Sequence, residues 1–168
     1  MPKVSVIIPV YGVEKYIERC ARSLFEQTLD DIEYLFIDDC TPDKSVEILK
    51  RVLEEYPHRK SQVVIHRMEQ NSGQAKVREW GMRNARGEYV IHCDSDDWVD
   101  VHMYEKMYNK AIEENSDFVV CDFCSTDCEN EQYSKGLISK ERENVIADIL
   151  LWRIAGCLWN KLVKRKEY

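Results

Sequence analysis

Glu88-Tyr-Val-Ile-His-Cys-Asp-Ser-Asp-Asp-Trp98 is a strand that runs straight into a cluster of carboxylates. Glu88 to Cys93 is aromatic and β-branched, holds no Gly or Pro, and reads as a buried strand. Asp94, Asp96 and Asp97 follow within four positions. Like charges this close raise one another's pKa, and a cation between them relieves the repulsion. Hard carboxylate oxygens at a strand end suit Mg²⁺ or Mn²⁺, ions that commonly hold substrate phosphates as well. The competing reading is a solvated acidic turn that caps the next helix, with Asp97 or Asp100 as N-cap.

The residues upstream weigh between these readings. Lys3 to Pro9 is a near-continuous apolar strand, the pattern of a parallel sheet covered on both faces, and Pro9 ends it. Val13, Ile17, Cys20, Ala21, Leu24 and Phe25 recur at helical spacing, which predicts a helix over Val13 to Gln27. Ile32 to Ile37 is a second strand, ending in Asp38-Asp39. Thr41-Pro42 is a helix start, with Thr41 as N-cap and Asp38 as a further cap. That helix runs on Val46, Leu49, Val52 and Leu53 to about Tyr56. Gln62 to His66 is a third strand. Ala75 to Arg86 is a third helix, closed by Gly87.

The alternation βαβαβαβ predicts an α/β fold: a doubly wound, mostly parallel, Rossmann-like sheet with helices on both faces. In such sheets ligands bind beyond the carboxyl ends of the strands. Pro9-Val10-Tyr11, Asp38-Asp39 and Asp94-Ser95-Asp96 should therefore meet at one edge. The first turn, Pro9 to Glu14, is neither G-x-G-x-x-G nor a P-loop, so it should not cradle phosphates on a glycine-rich helix terminus.

Downstream, Val99 to Glu114 reads as a helix on Met103, Met107, Tyr108, Ala111 and Ile112, and Asp117 to Phe123 as a fifth strand. Ser125 to Asn144 is polar, with a short strand near Leu137-Ile138, and Val145 to Ile154 is a helix. Trp159 to Lys166 turns from apolar to basic and reads as a solvated last turn.

The chain has 168 residues, of which 44% are hydrophobic and 33% charged, which is enough for one domain with its own core. The net charge of −7 argues against a general nucleic-acid binder. Met1-Pro2-Lys3 leads directly into a strand with no signal-peptide pattern, and no apolar run is long enough for a membrane span, so the expectation is a cytoplasmic protein. Seven cysteines without a secretion signal read as reduced thiols. Cys121, Cys124 and Cys128 have a metal-like spacing, but no second C-x-x-C completes a tetrahedral set.

Val4-Ser-Val-Ile-Ile-Pro-Val-Tyr11, Ile37-Asp-Asp39, Asn71-Ser-Gly73, Arg78, Ala85-Arg-Gly-Glu-Tyr89 and Asp94-Ser-Asp-Asp-Trp98 together resemble a family 2 glycosyltransferase. The resemblance covers nearly the whole chain, in order. It implies a GT-A fold and transfer of a sugar, with inversion, from a nucleotide-diphospho-sugar donor (a UDP-sugar by the family's leaning) to a glycan or lipid-linked acceptor, assisted by Mn²⁺ or Mg²⁺. It places Pro9, Val10 and Tyr11 around the base, with Tyr11 packing on it. Asp39 would accept from the base N–H. Arg78 would face the diphosphate, Asp94 and Ser95 would lie over the ribose and diphosphate, and Asp96, with Asp94, would hold the metal.

Tyr11 as a core aromatic, Arg78 as a surface charge and Asn71 and Gly73 as turn formers are the structural alternatives. Glu79, Lys76 and Val101 depart from the family's usual residues. The family's catalytic base follows the Trp159-to-Leu162 segment at a distance, beyond Tyr168; Glu141, Glu143 and Asp148 lack its setting. The expectation is a single domain over residues 1–168, the amino-terminal part of a longer enzyme, acting in polysaccharide assembly at the inner face of the membrane. The Lys161-to-Lys166 run would approach anionic lipid. Two other classes stay open: a non-catalytic nucleotide-sugar-binding module, and a phosphatase or phosphotransferase of the haloacid dehalogenase type with Asp94 as nucleophile.

Overall fold

The computed structural model describes residues 1–126, 130–136 and 156–167. Cys128, the strand near Leu137-Ile138, the helix over Val145 to Ile154, and Glu141, Glu143 and Asp148 lie outside the described residues. The elements run β1 Val4–Val10, α1 Ile17–Phe25, β2 Ile32–Asp38, α2 Ser45–Glu54, β3 Val63–Arg67, α3 Gln74–Asn84, β4 Tyr89–His92, α4 Met103–Glu113, β5 Phe118–Val120, β6 Phe123–Thr126, β7 Glu131–Ser134 and β8 Lys161–Lys164, with short 3₁₀ turns at Pro57–Gln62 and Arg165–Glu167.

One six-stranded sheet has the order β3-β2-β1-β4-β8-β5. Strands β3, β2, β1 and β4 are mutually parallel, with Val4 opposite both Ile32 and Tyr89. The sheet is sandwiched between helices. Val4, Val6, Ile8, Tyr34, Phe36 and Ile91 face a large core completed by α1, α2 and α4. Ile7, Leu35, Ile37 and Val90 face the other way and pack under α3 through Val77 and Ala85. Both faces are apolar because both are covered, which is why these strands read as continuous rather than alternating runs.

Several boundaries differ from the sequence reading, each for a physical reason. Pro9 lies inside β1 rather than ending it. The amides of Tyr89 and Cys93 donate to the Lys3 and Ile7 carbonyls, so the odd residues of β1 face β4. Pairing with β4 has stopped at Ile7 opposite His92, so the donor missing from Pro9 is not needed. Thr41 is not the cap of α2, which starts at Ser45. Gly87 is not a left-handed helix cap, since only Gly12 and Gly73 among the described glycines have positive φ. Its lack of a side chain matters because an added Cβ would stand 2.5 Å from the Ser5 backbone nitrogen.

The largest correction concerns the terminal basic run. Lys161–Lys164 is not a solvated turn but a strand inserted between β4 and β5, antiparallel to both. Leu162 is fully buried in the core. The Lys161 ammonium donates to the Cys157 carbonyl at 2.6 Å and to Asn160 Oδ1 at 2.7 Å. Lys164 and Lys166 reach Asp117 at 3.7 and 3.8 Å. Beyond β5 the chain forms a separate β6–β7 hairpin rather than a longer fifth strand. No helix among the described residues is long and apolar enough to cross a membrane.

Candidate active site

The carboxyl ends of β1, β2 and β4 open on one cleft of about 390 Å³. Its walls include Pro9, Val10, Tyr11, Asp39, Asp94, Ser95 and Asp96, so the three polar strand ends of the sequence meet there. Asn71, Gly73, Gln74, Val13 and Val77 complete the lining. Asn71 and Gly73 read in the sequence as turn formers only. Gln74 and Val77, in the first turn of α3, and Val13, in the loop before α1, carry no sequence signal, because such ordinary residues gain a site position only through the path of the loops.

The first strand–helix turn explains why no phosphate cradle forms there. The amides of Gly12, Val13 and Glu14 donate to Thr41 Oγ1, Ser45 Oγ and Asp43 Oδ2 at 2.9, 3.1 and 3.0 Å. Three consecutive donors are thus engaged by the β2–α2 loop rather than aimed at a ligand. Asp43 is the hub. Against a desolvation cost, bonds from the Ser45 and Thr41 hydroxyls and from the Ser45 and Glu14 amides bring its pKa down to about 2. Tyr11, next to this turn, is 52% exposed and so is not a core aromatic.

Asp38, the last residue of β2, and Asp39, just beyond it, point opposite ways, as an extended chain requires. Asp38 is buried and committed to the fold, accepting from the Thr41 amide and the Arg67 guanidinium at 2.7 Å each. Asp39 turns into the cleft, where Oδ1 accepts from Ser72 N at 2.7 Å and Oδ2 from Gly73 N at 2.9 Å. A carboxylate oxygen has two acceptor sites, so each retains one for a ligand donor.

Arg78 does not line the cleft directly. It stands behind Asp94, with Nη2 2.5 Å from Oδ1, both side chains being mostly buried. Asp96 and Asp97 are exposed. Partial desolvation of its carboxyl, then the charges of Asp96 and Asp94, raise the Asp97 pKa against the pull of Arg19. The cluster therefore carries the electrostatic demand that a divalent cation would meet. Among the described residues no three His, Cys, Asp or Glu side chains form a ready-made metal cage.

A second cleft of about 600 Å³ adjoins the first at Asp94, which lines both. Its walls are largely apolar, with Trp98, Met103, Met107, Phe123, Tyr133 and Trp159.

Burial, and then the neighbouring Arg78 cation, push His92 beneath the cluster down to about 4 from an ordinary 6.5. The unfolded chain takes up this proton near 6.5, the folded chain only near 4. Stability present above pH 6.5 is therefore lost as pH falls toward 4. The expected loss from this one group is on the order of 3 kcal/mol. Urea titrations in EDTA at stepped pH should show that slope, and His92→Gln should flatten it; an unchanged slope in the variant would assign it elsewhere.

A carboxylate-lined cleft beyond the carboxyl ends of the strands lies where three-layer α/β domains bind their ligands. The chain belongs to glycosyl transferase family 2, whose sequence profile matches residues 5–161. Two Bacillus subtilis (strain 168) proteins described as glycosyltransferases are similar to it. EpsJ is 38% identical over 79% of this chain and 37% of its own length, and EpsH is 34% identical over 98% of this chain and 47% of its own. Residues 1–349 of S. aureus TarS, solved with UDP-GlcNAc, superpose with a TM-score of 0.68 at 27% identity, covering 76% of this chain and 36% of that one. The fold is accordingly GT-A. The chain spans less than half the length of these relatives.

Proposed function

We propose that this chain forms the donor-binding domain of an inverting, metal-assisted glycosyltransferase that uses a UDP-sugar. The observation that carries the reading is the meeting of Pro9–Tyr11, Asp39 and Asp94–Asp96 in one cleft. UDP-GlcNAc bound to TarS supports a uridine donor.

Tyr11 offers an exposed ring for the base. Asp39 accepts the base N–H on an acceptor site that the Ser72 and Gly73 amides leave open. Those same amides hold the carboxylate rigid, so little order is lost on binding. Asp94 and Ser95 sit where the ribose would lie. Asp96, exposed at the cleft, is the first candidate to hold Mn²⁺ or Mg²⁺, with Asp94 shared between that ion and Arg78. When bound, the ion would neutralise charge on the departing nucleoside diphosphate. Arg78 adds positive charge from behind Asp94. In the transfer, the bond from the anomeric carbon to the diphosphate breaks with its electron pair leaving on the diphosphate, as the acceptor hydroxyl oxygen bonds to the opposite face of that carbon and gives its proton to a general base.

The adjoining apolar cleft at Asp94 is the side from which a glycan or lipid-linked acceptor would approach.

The test is a calorimetric titration of UDP with Mn²⁺ and with EDTA, beside Asp96→Ala. Saturable binding is expected in Mn²⁺, weakened about tenfold or more by EDTA or by the substitution, a difference of about 1.4 kcal/mol. Binding indifferent to metal would remove Asp96 from the role of metal ligand. No binding of UDP, GDP or dTDP would overturn the donor reading.

A further inference from the structure

The acidic loop leaves the sheet almost at once. Its last bond to a strand is from the Cys93 amide to the Ile7 carbonyl. From Asp94 to Tyr104 the loop's backbone is then fastened by one face of α1 and the residues just past its end, while the Asp94 side chain is held from the other side by Arg78 of α3.

Arg19 lies over the Trp98 ring at 3.5 Å, and its Nη2 reaches the Asp96 carbonyl at 3.5 Å. Cys20 Sγ approaches the Asp94 carbonyl at 3.8 Å. Ser23 Oγ accepts from the Val99 amide at 3.2 Å while donating to the Cys20 carbonyl at 2.8 Å. Gln27 makes the tightest attachment. Its Nε2 donates to the Asp100 carbonyl at 2.7 Å and the Ser23 carbonyl at 3.1 Å, and its Oε1 accepts from the Tyr104 amide at 3.2 Å.

Gln27 is 2% exposed, and its bond from the Tyr104 amide is buried away from competing water. The amide is used from both ends: it ties the carbonyl that closes the loop and also an otherwise orphaned N–H at the start of α4. Positions 19, 23 and 27 are successive one-turn neighbours, which brings them to one face.

We propose that Ser23 and Gln27 are positioning residues for the acidic loop, setting where Asp94 and Asp96 stand and hence the metal-dependent part of donor binding. This rests on the donor-site reading above. The base-binding side of the cleft, built on β1, β2 and the start of α3, does not depend on these contacts. The inference therefore predicts a split that general loosening would not produce.

The test compares Ser23→Ala and Gln27→Met with the parent chain. Tyr34→Phe is the control, since the Tyr34 hydroxyl bonds the Leu24 carbonyl of the same helix and none of the loop. Two readouts are needed: amide hydrogen exchange over residues 94–104 in EDTA, and UDP affinity with and without Mn²⁺. Both test variants should exchange about tenfold faster in the loop with β1 unchanged. They should lose about tenfold of the gain in UDP affinity that Mn²⁺ supplies, with a clearly smaller loss in EDTA, where only the ribose contacts of Asp94 and Ser95 depend on the loop. Tyr34→Phe should lower the thermal midpoint and move neither readout.

Exchange rising equally in β1, or affinity falling equally with and without Mn²⁺, would overturn the proposal, as would parental values in both variants. Ser23 is only half-buried, so Ser23→Ala decides the matter should Gln27→Met fail to fold. If the parent chain binds no nucleotide, the donor reading falls, and the exchange data alone decide whether α1 holds the loop.

Discussion

Replacing Arg59 with Met is expected to lower the unfolding free energy by about 4 kcal/mol. Arg59, in Pro57-His-Arg-Lys60, is 3% exposed. Its Nε donates to the Phe25 carbonyl at 3.0 Å, Nη1 to the Leu29 carbonyl at 3.2 Å and to Gln62 Oε1 at 2.9 Å, and Nη2 to the Gln27 carbonyl. These carbonyls lie at and beyond the end of α1, where helical acceptors have no partner within the helix and the dipole is negative. A buried cation with a rigid fork of donors satisfies both demands.

Met fills the stem of the side chain and leaves three carbonyls without a donor, at about 1–3 kcal/mol each, less whatever water recovers. The thermal midpoint should fall by roughly 8–16 °C. Arg59→Lys should recover less than half, because one ammonium cannot span acceptors that diverge. Urea unfolding followed by circular dichroism measures both. A loss under about 1 kcal/mol for the Met variant would mean that water reaches these carbonyls.

Gly87→Ala is the second large effect, expected at about 3 kcal/mol. The added Cβ would meet Ser5 N at 2.5 Å, Ser5 Oγ at 2.7 Å and Tyr89 O at 2.8 Å, two of which are backbone atoms in adjacent strands. Nothing there is the free end of a flexible side chain, so the start of β4 must move away from β1. The same spot carries a buried network. Glu33, 1% exposed, accepts from Ser5 Oγ at 2.5 Å and from the Arg86 amide at 2.6 Å, while Ser5 Oγ also accepts from Gly87 N at 2.7 Å. The shift would therefore disturb a low-dielectric carboxylate as well as the packing. Because this network lies at the opposite end of the strands from the cleft, the variant should lose stability while a folded fraction keeps its nucleotide affinity. Equal stability to the parent would show that the two strands part without cost.

This last site also shows what a motif can conceal. Ala85-Arg-Gly-Glu-Tyr89 belongs to the same family resemblance as the acidic cluster, yet the structure gives it a different task. Arg86 pairs with Glu33, Gly87 permits the close approach to Ser5, and Glu88 accepts from the Tyr108 hydroxyl at 3.3 Å. It holds the base of the sheet and takes no part in the cleft.

The first four strands, the four described helices and the meeting of three strand ends were legible because they depend on local periodicity and on the handedness of βαβ units. A run such as Ile32–Ile37 can be continuous only if both its faces are covered, and a chain that alternates strand and helix brings its strand ends to one edge. Hydrophobic pattern and chirality decide both without knowledge of any contact. What only the tertiary structure decided was what depends on partners far apart in the chain. Lys161–Lys164 is too short and too basic to announce a strand, and becomes one because β4 and β5 supply backbone bonds on both sides. Arg59 and Gln27 gain their bonds only because α1 ends at Phe25 and the chain segments beyond it bring unpaired carbonyls within reach. The acidic cluster could be placed at the strand-end edge from its charges and the strand–helix pattern together, but its fastening to α1 could not, because a hydrogen bond across more than seventy residues leaves no trace in local composition.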